Sequence, residues 1–444
     1  MKKLSYIFLF IVMALAVGLH VKHRLSLGAQ AYVYGFPLVL MDATQNADIA
    51  GMGVNRIGHR MTLPDHTFRA VVRPNNDTVY SIAWLDLSQQ PQVLSLPDMG
   101  SRYYVMPFMD AWTNVFARLG SSTTGQQAGD YILVGPNWQG KLPDDIKVIK
   151  APSNRVWLIG RSQLNGKQDL PALEKKLARI ALTDLENFVQ GRRFYSQKIT
   201  KETGPDIMAE VEAMDEQDFF AKLNQQMAKQ PPAKADAELL EQLEFIHIGP
   251  GLDFGKNLLL DPWIIAKGAS MAKQKLQQQK NVDRSAVNGW AIIRDGIGRY
   301  GTDYKTRAYV ALVGLGALPP EEASYPNTFK DSNGQRLNGH SRYRLHFKPG
   351  QTPPANAFWS ITLYDRDGFM IANSINRYAI GDRDGLLYND DGSLDIIIQQ
   401  PATEIQNNWL PAPAGDFSIT MRVYLPSKRF LSGGWQPPAV EKLP

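Results

Sequence analysis

Cysteine is absent from all 444 residues. That excludes a disulfide framework, a thioether-linked lipid anchor, a thiol nucleophile and any zinc site built on thiolates. H-E-x-x-H, the helical zinc pair, does not occur, and neither does G-x-S-x-G, the elbow of a serine hydrolase. Long blocks of one charge sign are missing too. The 48 Lys and Arg and 43 Asp and Glu leave a net charge of +5 with both signs interspersed, so no nucleic-acid partner is expected. An apolar content of 44% is that of a globular protein, with length for more than one core.

What the chain does have is a distinctive start. Met1-Lys2-Lys3 precedes an apolar run from Leu4 to Leu19, interrupted by Ser5 and Gly18. A short basic segment ahead of such a run is the pattern of export. Ala14-Leu15-Ala16 and Ala16-Val17-Gly18 suit cleavage, whereas Lys22, His23 and Arg24 suit a retained anchor, so residues 1–27 read as either. The expected location is the periplasm or the periplasmic face of the inner membrane.

Three textures follow. Residues 28–50 read as a helix interrupted or kinked near Gly35 and Pro37. Short β-rich runs then come at Phe68–Val72, Val79–Leu87, Gln92–Leu96, Arg102–Met109, Tyr131–Val134 and Val156–Ile159, separated by turn signals. Such spacing predicts an antiparallel sandwich, giving an N-terminal domain over 28–168. From Asp169, read as a helix cap, the period changes to that of helices, with Leu173, Leu177 and Ile180 in one stripe. Asp215 caps a second helix that Pro231-Pro232 stops, and Glu238–Ile246 and Asp261–Gln279 continue a mostly helical region over 169–320. In residues 321–444 the β pattern returns. Phe417, Ile419, Met421, Val423 and Leu425 alternate with Ser418, Thr420, Arg422 and Tyr424, and Trp359, Ile361 and Leu363 share a face. Asp-Gly pairs at 367–368, 384–385 and 391–392 sit where hairpins would close, and a second sandwich of jelly-roll type is expected. The fold class is thus multi-domain α+β.

Several motifs read as structure before chemistry. Gly296-Ile297-Gly298-Arg299-Tyr300-Gly301 matches G-x-G-x-x-G but lies among helices, so it reads as a turn between them. Ser270-Met271-Ala272-Lys273 matches S-x-x-K without a K-T-G partner, the nearest being Lys305-Thr306-Arg307, and reads as an exposed helix face. His59 and His66 flank an expected loop and His340 and His346 a strand, with Arg344 and His346 on its outer side. No metal site is assigned from them. Asp365-Arg366-Asp367-Gly368 and Asp382-Arg383-Asp384-Gly385 read as turns, with calcium as the alternative. No other cofactor is implied.

Two polar, aromatic clusters are the ligand-binding candidates. One is Arg73, Asn75, Asn76, Asp77 and Tyr80 with Asp110, Trp112 and Asn114; the other is Arg377, Tyr378 and Asp382 with Asn408 and Trp409. Guanidinium, carboxylate, amide and indole groups together hold a small polar ligand by stacking and hydrogen bonding. Asp77 and Asp110 offer a pair for acid and base roles. Loop scaffolding is the competing account.

The strings AYVYGFPLVLMDAT, RPNNDTVYSIAWLDLS, SLPDMGSRYYVMPFMDAWTNVFA, PEEASYP, FWSITLYDRDG, NRYAIGDR and NWLPAPAGDFSITMRVYLP resemble the bacterial proteins that pair domain of unknown function 1254 with domain of unknown function 1214. The resemblance spans nearly all the chain beyond the first segment. It implies an immunoglobulin-like N-terminal β-sandwich, a helical section and a C-terminal jelly roll, and it transfers no catalytic residue. Three functions remain open: an envelope protein binding a small polar or aromatic molecule, a carboxylate-based hydrolase or lyase, and a structural homo-oligomer of the envelope.

Overall fold

The protein is described here by a computed structural model covering residues 2–69, 73–200, 207–255, 261–279, 287–400 and 408–444. It is a mixed α+β molecule that divides into two compact units. The first holds residues 1–46, 207–281 and 300–315 and is helical; the second holds 47–206, 282–299 and 316–444 and contains the sheets.

In the helical unit the dominant element is α1 (Lys2–Met52), a helix of 51 residues. Of the interruption or kink expected near Gly35 and Pro37, the interruption does not occur: the helix runs on through both. Tyr34, Phe36, Leu38, Val39 and Met41 around the proline are all buried, so apolar packing outweighs the lost backbone bond. Gly35 serves close packing there, since a Cβ would lie 2.4 Å from the Leu223 side chain. Side chains from Tyr6 to Leu19 are exposed, and α1 as a whole is a helix long and apolar enough to cross a membrane.

Two short helices, α2 (Leu170–Leu177) and α3 (Leu185–Val189), belong to the β-rich unit. Those of the helical unit are α4 (Ile207–Ala213), α5 (Glu216–Lys229), α6 (Ala237–Glu244), α7 (Asp261–Gln278) and α8 (Tyr304–Gly314). Asp215 caps α5 as the sequence indicates, its carboxylate accepting from Asp218 N at 2.8 Å. Phe219, Phe220, Leu223 and Met227 of α5 are buried. Asp169 stands before α2 but does not cap it. Arg102 takes both its oxygens, one at 2.7 Å, so a charge-assisted fork displaces the local bond.

Among the described residues the β-rich unit begins with ten strands. They are β1 (Ile57–Arg60), β2 (Thr78–Asp86), β3 (Gln92–Leu96), β4 (Tyr104–Asp110), β5 (Val115–Gly120), β6 (Gly129–Val134), β7 (Lys147–Lys150), β8 (Arg155–Gln163), β9 (Ala181–Asp184) and β10 (Gln197–Lys198). Sheet order is β10-β1-β2-β8-β4-β5 in one sheet and β7-β6-β3-β9 in the other. The sheets share a core of Val79, Ala83, Leu85, Leu158, Leu94, Leu133 and Leu182. Truncating a fully buried member such as Leu158 costs about 2–5 kcal/mol. Most pairings are antiparallel, as expected, but β1–β10 and β6–β7 are parallel. His59 lies within β1 rather than beside a loop. Phe68 and Arg69 are not in a strand, and the rest of the run expected at Phe68–Val72 lies outside the described residues.

Ten more strands follow: β11 (Trp290–Ala291), β12 (Ala323–Ser324), β13 (Asn327–Thr328), β14 (Arg342–Phe347), β15 (Ala355–Asp365), β16 (Ala379–Gly381), β17 (Leu394–Gln399), β18 (Trp409–Pro411), β19 (Phe417–Pro426) and β20 (Val440–Leu443), with a final helix α9 (Lys428–Leu431) before β20. One sheet runs β11-β13-β19-β15-β16 with β12 beside β19, the other β18-β17-β14-β20. Trp359, Ile361, Leu363, Ile419, Met421 and Val423 from the first meet Tyr343, Leu345, Phe347, Ile396 and Ile398 from the second in a separate core. The alternation in β19 is therefore real, but its polar side is buried as well.

Candidate functional site

The outer face of the first large sheet is set by register. Tyr80↔Arg161, Ile82↔Ile159 and Trp84↔Trp157 pair across β2 and β8. A period of two places these residues opposite the core-facing Val79, Ala83 and Leu85. Trp84 and Trp157 stack with centroids 5.2 Å apart, and the Arg161 guanidinium lies 5.4 Å from the Tyr80 ring centre.

On the second large sheet the corresponding face carries Phe358↔Tyr424, Ser360↔Arg422, Thr362↔Thr420 and Tyr364↔Ser418. All eight are buried. The chain from Arg73 to Asp77 covers them. Tyr364 donates to Pro74 O at 2.6 Å, Asn75 to the Tyr424 hydroxyl at 2.9 Å, and Ser360 to Asp77 Oδ2 at 2.6 Å. Tyr103, just before β4, packs against both Phe358 and Tyr424, with centroids 5.7 and 5.6 Å away. Within the β-rich unit the two polar faces thus form one arginine- and tyrosine-rich interior.

Its charges do not balance. Asp77 pairs with Arg383, and Glu322 lies 3.3 Å from Arg118 and also bonds Ser122 and Tyr103. Arg161, 5% exposed, donates to the carbonyls of Ile159 and Gly316 at 3.2 and 2.7 Å. Arg422, 3% exposed, donates to Thr362, to the carbonyls of Arg73 and Pro74 and to the Tyr364 hydroxyl, the last at 2.6 Å. Neither forms an ion pair among the described residues. Arg383 is thus paired by Asp77 and Arg118 by Glu321 and Glu322, whereas Arg161 and Arg422 are held by neutral oxygens. Burying an uncompensated charge is costly, so this excess of positive charge calls for an anion.

The surrounding hydroxyls suit one. Tyr80, Tyr103, Tyr325 and Tyr424 lie within electrostatic reach of Arg161, and Tyr325 senses Arg422 too. Burial pushes the hydroxyls of Tyr103, Tyr325 and Tyr424 upward, keeping them protonated donors. Burial also raises Glu322, against the pull of Ser122, Tyr103 and Arg118. Tyr80 and Tyr325 retain partial solvent exposure, and no protein group among the described residues bonds the Tyr80 hydroxyl.

Of the first predicted cluster, Arg73, Asn75, Asp77 and Tyr80 enter this interior. Arg73 reaches Asn327, Thr420 and Ser418 from a left-handed backbone position at φ 51°. Asn76 instead holds Pro64 O at 2.6 Å. Asp110, Trp112 and Asn114 build the β4–β5 turn. Asp110 Oδ1 accepts from Trp112 N at 2.9 Å and Asn114 N at 2.8 Å, and Oδ2 accepts from the Asn114 amide at 2.9 Å. In the second cluster Arg377 donates to Trp409 O at 3.0 Å and Tyr378 bonds His66 at 2.8 Å. Asn408 clasps the Leu387 backbone, and Trp409 donates to Gln399 O at 3.0 Å. Asp382 accepts from Trp359 N at 3.2 Å and lies in the field of Arg383 and Asp77, where the two clusters meet. The residues that sequence reasoning left out are Arg161, Arg383, Glu322, Tyr103 and Tyr325. Arg161 carried a signal, a charge two residues after the apolar run Val156–Ile159.

The other motifs resolve locally. The glycine-rich segment 296–301 is a turn before α8, but the strand ahead of it is β11 of an antiparallel sheet, not a neighbouring helix. Lys273 of α7 donates to Met214 O at 3.2 Å. His346 is half-buried on Asp395 at 2.7 Å rather than solvent-facing, and Arg344 pairs with Glu441. Asp365 and Asp384 accept from nearby backbone N–H groups, closing loops rather than two-residue hairpins. Among the described residues no three His, Asp or Glu side chains converge on a metal position. A wide cleft of about 440 Å³ lies by His66, Arg69, Asp365, Arg366, Asp367 and Asp416. It is open to solvent, which satisfies those charges without a ligand, so the buried arginines mark the stronger site.

Comparison with known proteins agrees with this architecture. The families described as "Protein of unknown function (DUF1254)" and "Protein of unknown function (DUF1214)" match residues 54–184 and 322–428. The VPA0106 protein from Vibrio parahaemolyticus is 25% identical, with a TM-score of 0.69 over 95% of this chain and 100% of that one. An uncharacterized protein from Burkholderia cenocepacia is 11% identical, with a TM-score of 0.47 over 96% of this chain and 95% of that one, too slight a likeness for argument. No curated protein matches.

Proposed function

Because this chain belongs to the family that joins DUF1254 to DUF1214, whose descriptions name no reaction, we infer its function from the site: it binds a small anionic molecule in the arginine–tyrosine interior. The observation that carries this reading is Arg161, a buried guanidinium held by neutral carbonyls and ringed by phenols. A carboxylate or phosphate there accepts from a planar fork and from tyrosine hydroxyls. The stacked rings of Phe358 and Tyr424, with Tyr103 edge-on to Phe358, give this interior an aromatic character that suits an aromatic acid better than an aliphatic one. In this reading the two pairs of sheets are the immunoglobulin-like and jelly-roll scaffolds that carry the site. The protein works on the periplasmic side, held by the apolar part of α1. Binding is favoured over carboxylate chemistry because Asp77 and Asp110 are already committed to Arg383, Ser360 and the β4–β5 turn.

The test is a melting experiment on the full chain in detergent with benzoate-type acids and their neutral amides. Acids raise the melting temperature of the wild type, amides do not, and Arg161→Met removes the response. Equal responses to acid and amide, or a response that survives in the variant, contradicts the anion site. Retention of the chain in membranes after alkaline extraction checks the anchor; release into the soluble fraction contradicts it.

A further inference from the structure

The apolar run from Leu4 to Leu19 has 16 residues, and at 1.5 Å per residue it spans about 24 Å, roughly 6 Å less than a bilayer's hydrocarbon core. A helix that is too short draws its flanking residues toward the lipid. What flanks it in the helical unit is specific. Asp261, the first residue of α7, meets His20 and Arg24 at 3.0 Å each, and Arg24 also donates to Phe245 O at 2.8 Å. These contacts fall within five residues of Leu19, about 7.5 Å along the helix axis. That is the depth of the headgroup layer.

Two large apolar side chains stand on those same segments with nothing covering them. Phe245 is 67% exposed and Trp263, in the first turn of α7, is 75% exposed. Met271, on the same helix, is 54% exposed. It borders an apolar groove lined also by Gly18, Val21, Lys22, Leu25 and Gly268, which opens at the end of the apolar run. Large apolar side chains this exposed gain little on a water-soluble surface, whereas a membrane interface takes them. Tryptophan and phenylalanine settle at the boundary of headgroups and acyl chains, and Lys22, which lines the groove with Met271, complements anionic headgroups.

We propose that the helical unit rests on the bilayer, with Phe245 and Trp263 inserted into the interfacial layer around the emerging α1 and Met271 at its edge. The occupant is lipid, and the contact extends a span of insufficient length. The proposal rests on the anchor reading given above, and the experiment separates the two. The chain has no cysteine, so single-cysteine variants Phe245→Cys, Trp263→Cys and Val12→Cys carry a nitroxide label without further engineering. Each replaces an exposed side chain, and unchanged circular dichroism and melting confirm folding. In vesicles of phosphatidylethanolamine and phosphatidylglycerol, accessibility to oxygen and to a water-soluble nickel chelate reports depth. The expected result is a label at 12 deep in the hydrocarbon and labels at 245 and 263 at headgroup depth, with chelate access reduced several-fold relative to detergent-free buffer standards. A label at 12 in lipid with labels at 245 and 263 in water overturns the interfacial contact and leaves the anchor standing. A label at 12 in water overturns both.

Discussion

His59 shows how single residues tie this fold to pH. Its ring is 3% exposed, donates from Nε2 to Leu177 O at 3.0 Å and accepts at Nδ1 from Ser81 Oγ at 2.9 Å. Burial disfavours the charged ring and pushes the imidazole down to about 4 from its ordinary 6.5. The unfolded chain therefore takes up the proton first as pH falls. Stability from this group is complete above about pH 6.5 and is lost as pH falls to 4, amounting to about 3 kcal/mol. Urea midpoints at pH 7 and pH 4.5 should show the loss, and His59→Gln should flatten it; an equal slope in the variant would assign the effect to other groups. Asp110 gives a contrasting case. It accepts three bonds within the β4–β5 turn, so Asp110→Ala should cost about 2 kcal/mol of stability and leave anion affinity unchanged. A tenfold loss of affinity at constant stability would instead place Asp110 at the ligand.

Among the elements, the contact between α1 and α7 depends on two glycines. A Cβ at Gly28 would lie 2.1 Å from Ile265 O, and one at Gly268 equally close to Leu25 O. Backbone cannot yield there as a side-chain tip can, so Gly268→Ala should destabilise the helical unit by about 2 kcal/mol, whereas Gly18→Ala, with open space around it, should not. Equal melting temperatures for the two variants would refute this close crossing. These elements also show where a sequence speaks. Asp215 was legible as a cap because its partner is three residues away. Asp169 misled because its partner Arg102 is distant in the chain and lies on another segment. The alternation of β19 revealed a strand with one face in a core, yet it did not tell that the Ser, Thr, Arg and Tyr side is buried as well. Whether a face is covered depends on Pro74, Asn75 and Asp77, which arrive from more than 340 residues earlier. Arg161 escaped notice for the same reason: nothing local says that Gly316 and four tyrosines will surround it.

For the whole molecule the account assigns one task to each unit. The helical unit carries the apolar helix and the exposed Phe245 and Trp263; the β-rich unit buries Arg161 and Arg422 against neutral oxygens in its interior. That charge excess is the central claim, since a protein without a ligand gains little by burying it. The most direct measurement is a native mass spectrum of the full chain, purified gently from membranes and compared with its denatured mass, for wild type and Arg161→Met side by side. The account predicts an extra mass on the wild type that leaves on denaturation, ionises as an acid and is missing from the variant. An identical retained mass on both proteins, or a neutral molecule in its place, would contradict it.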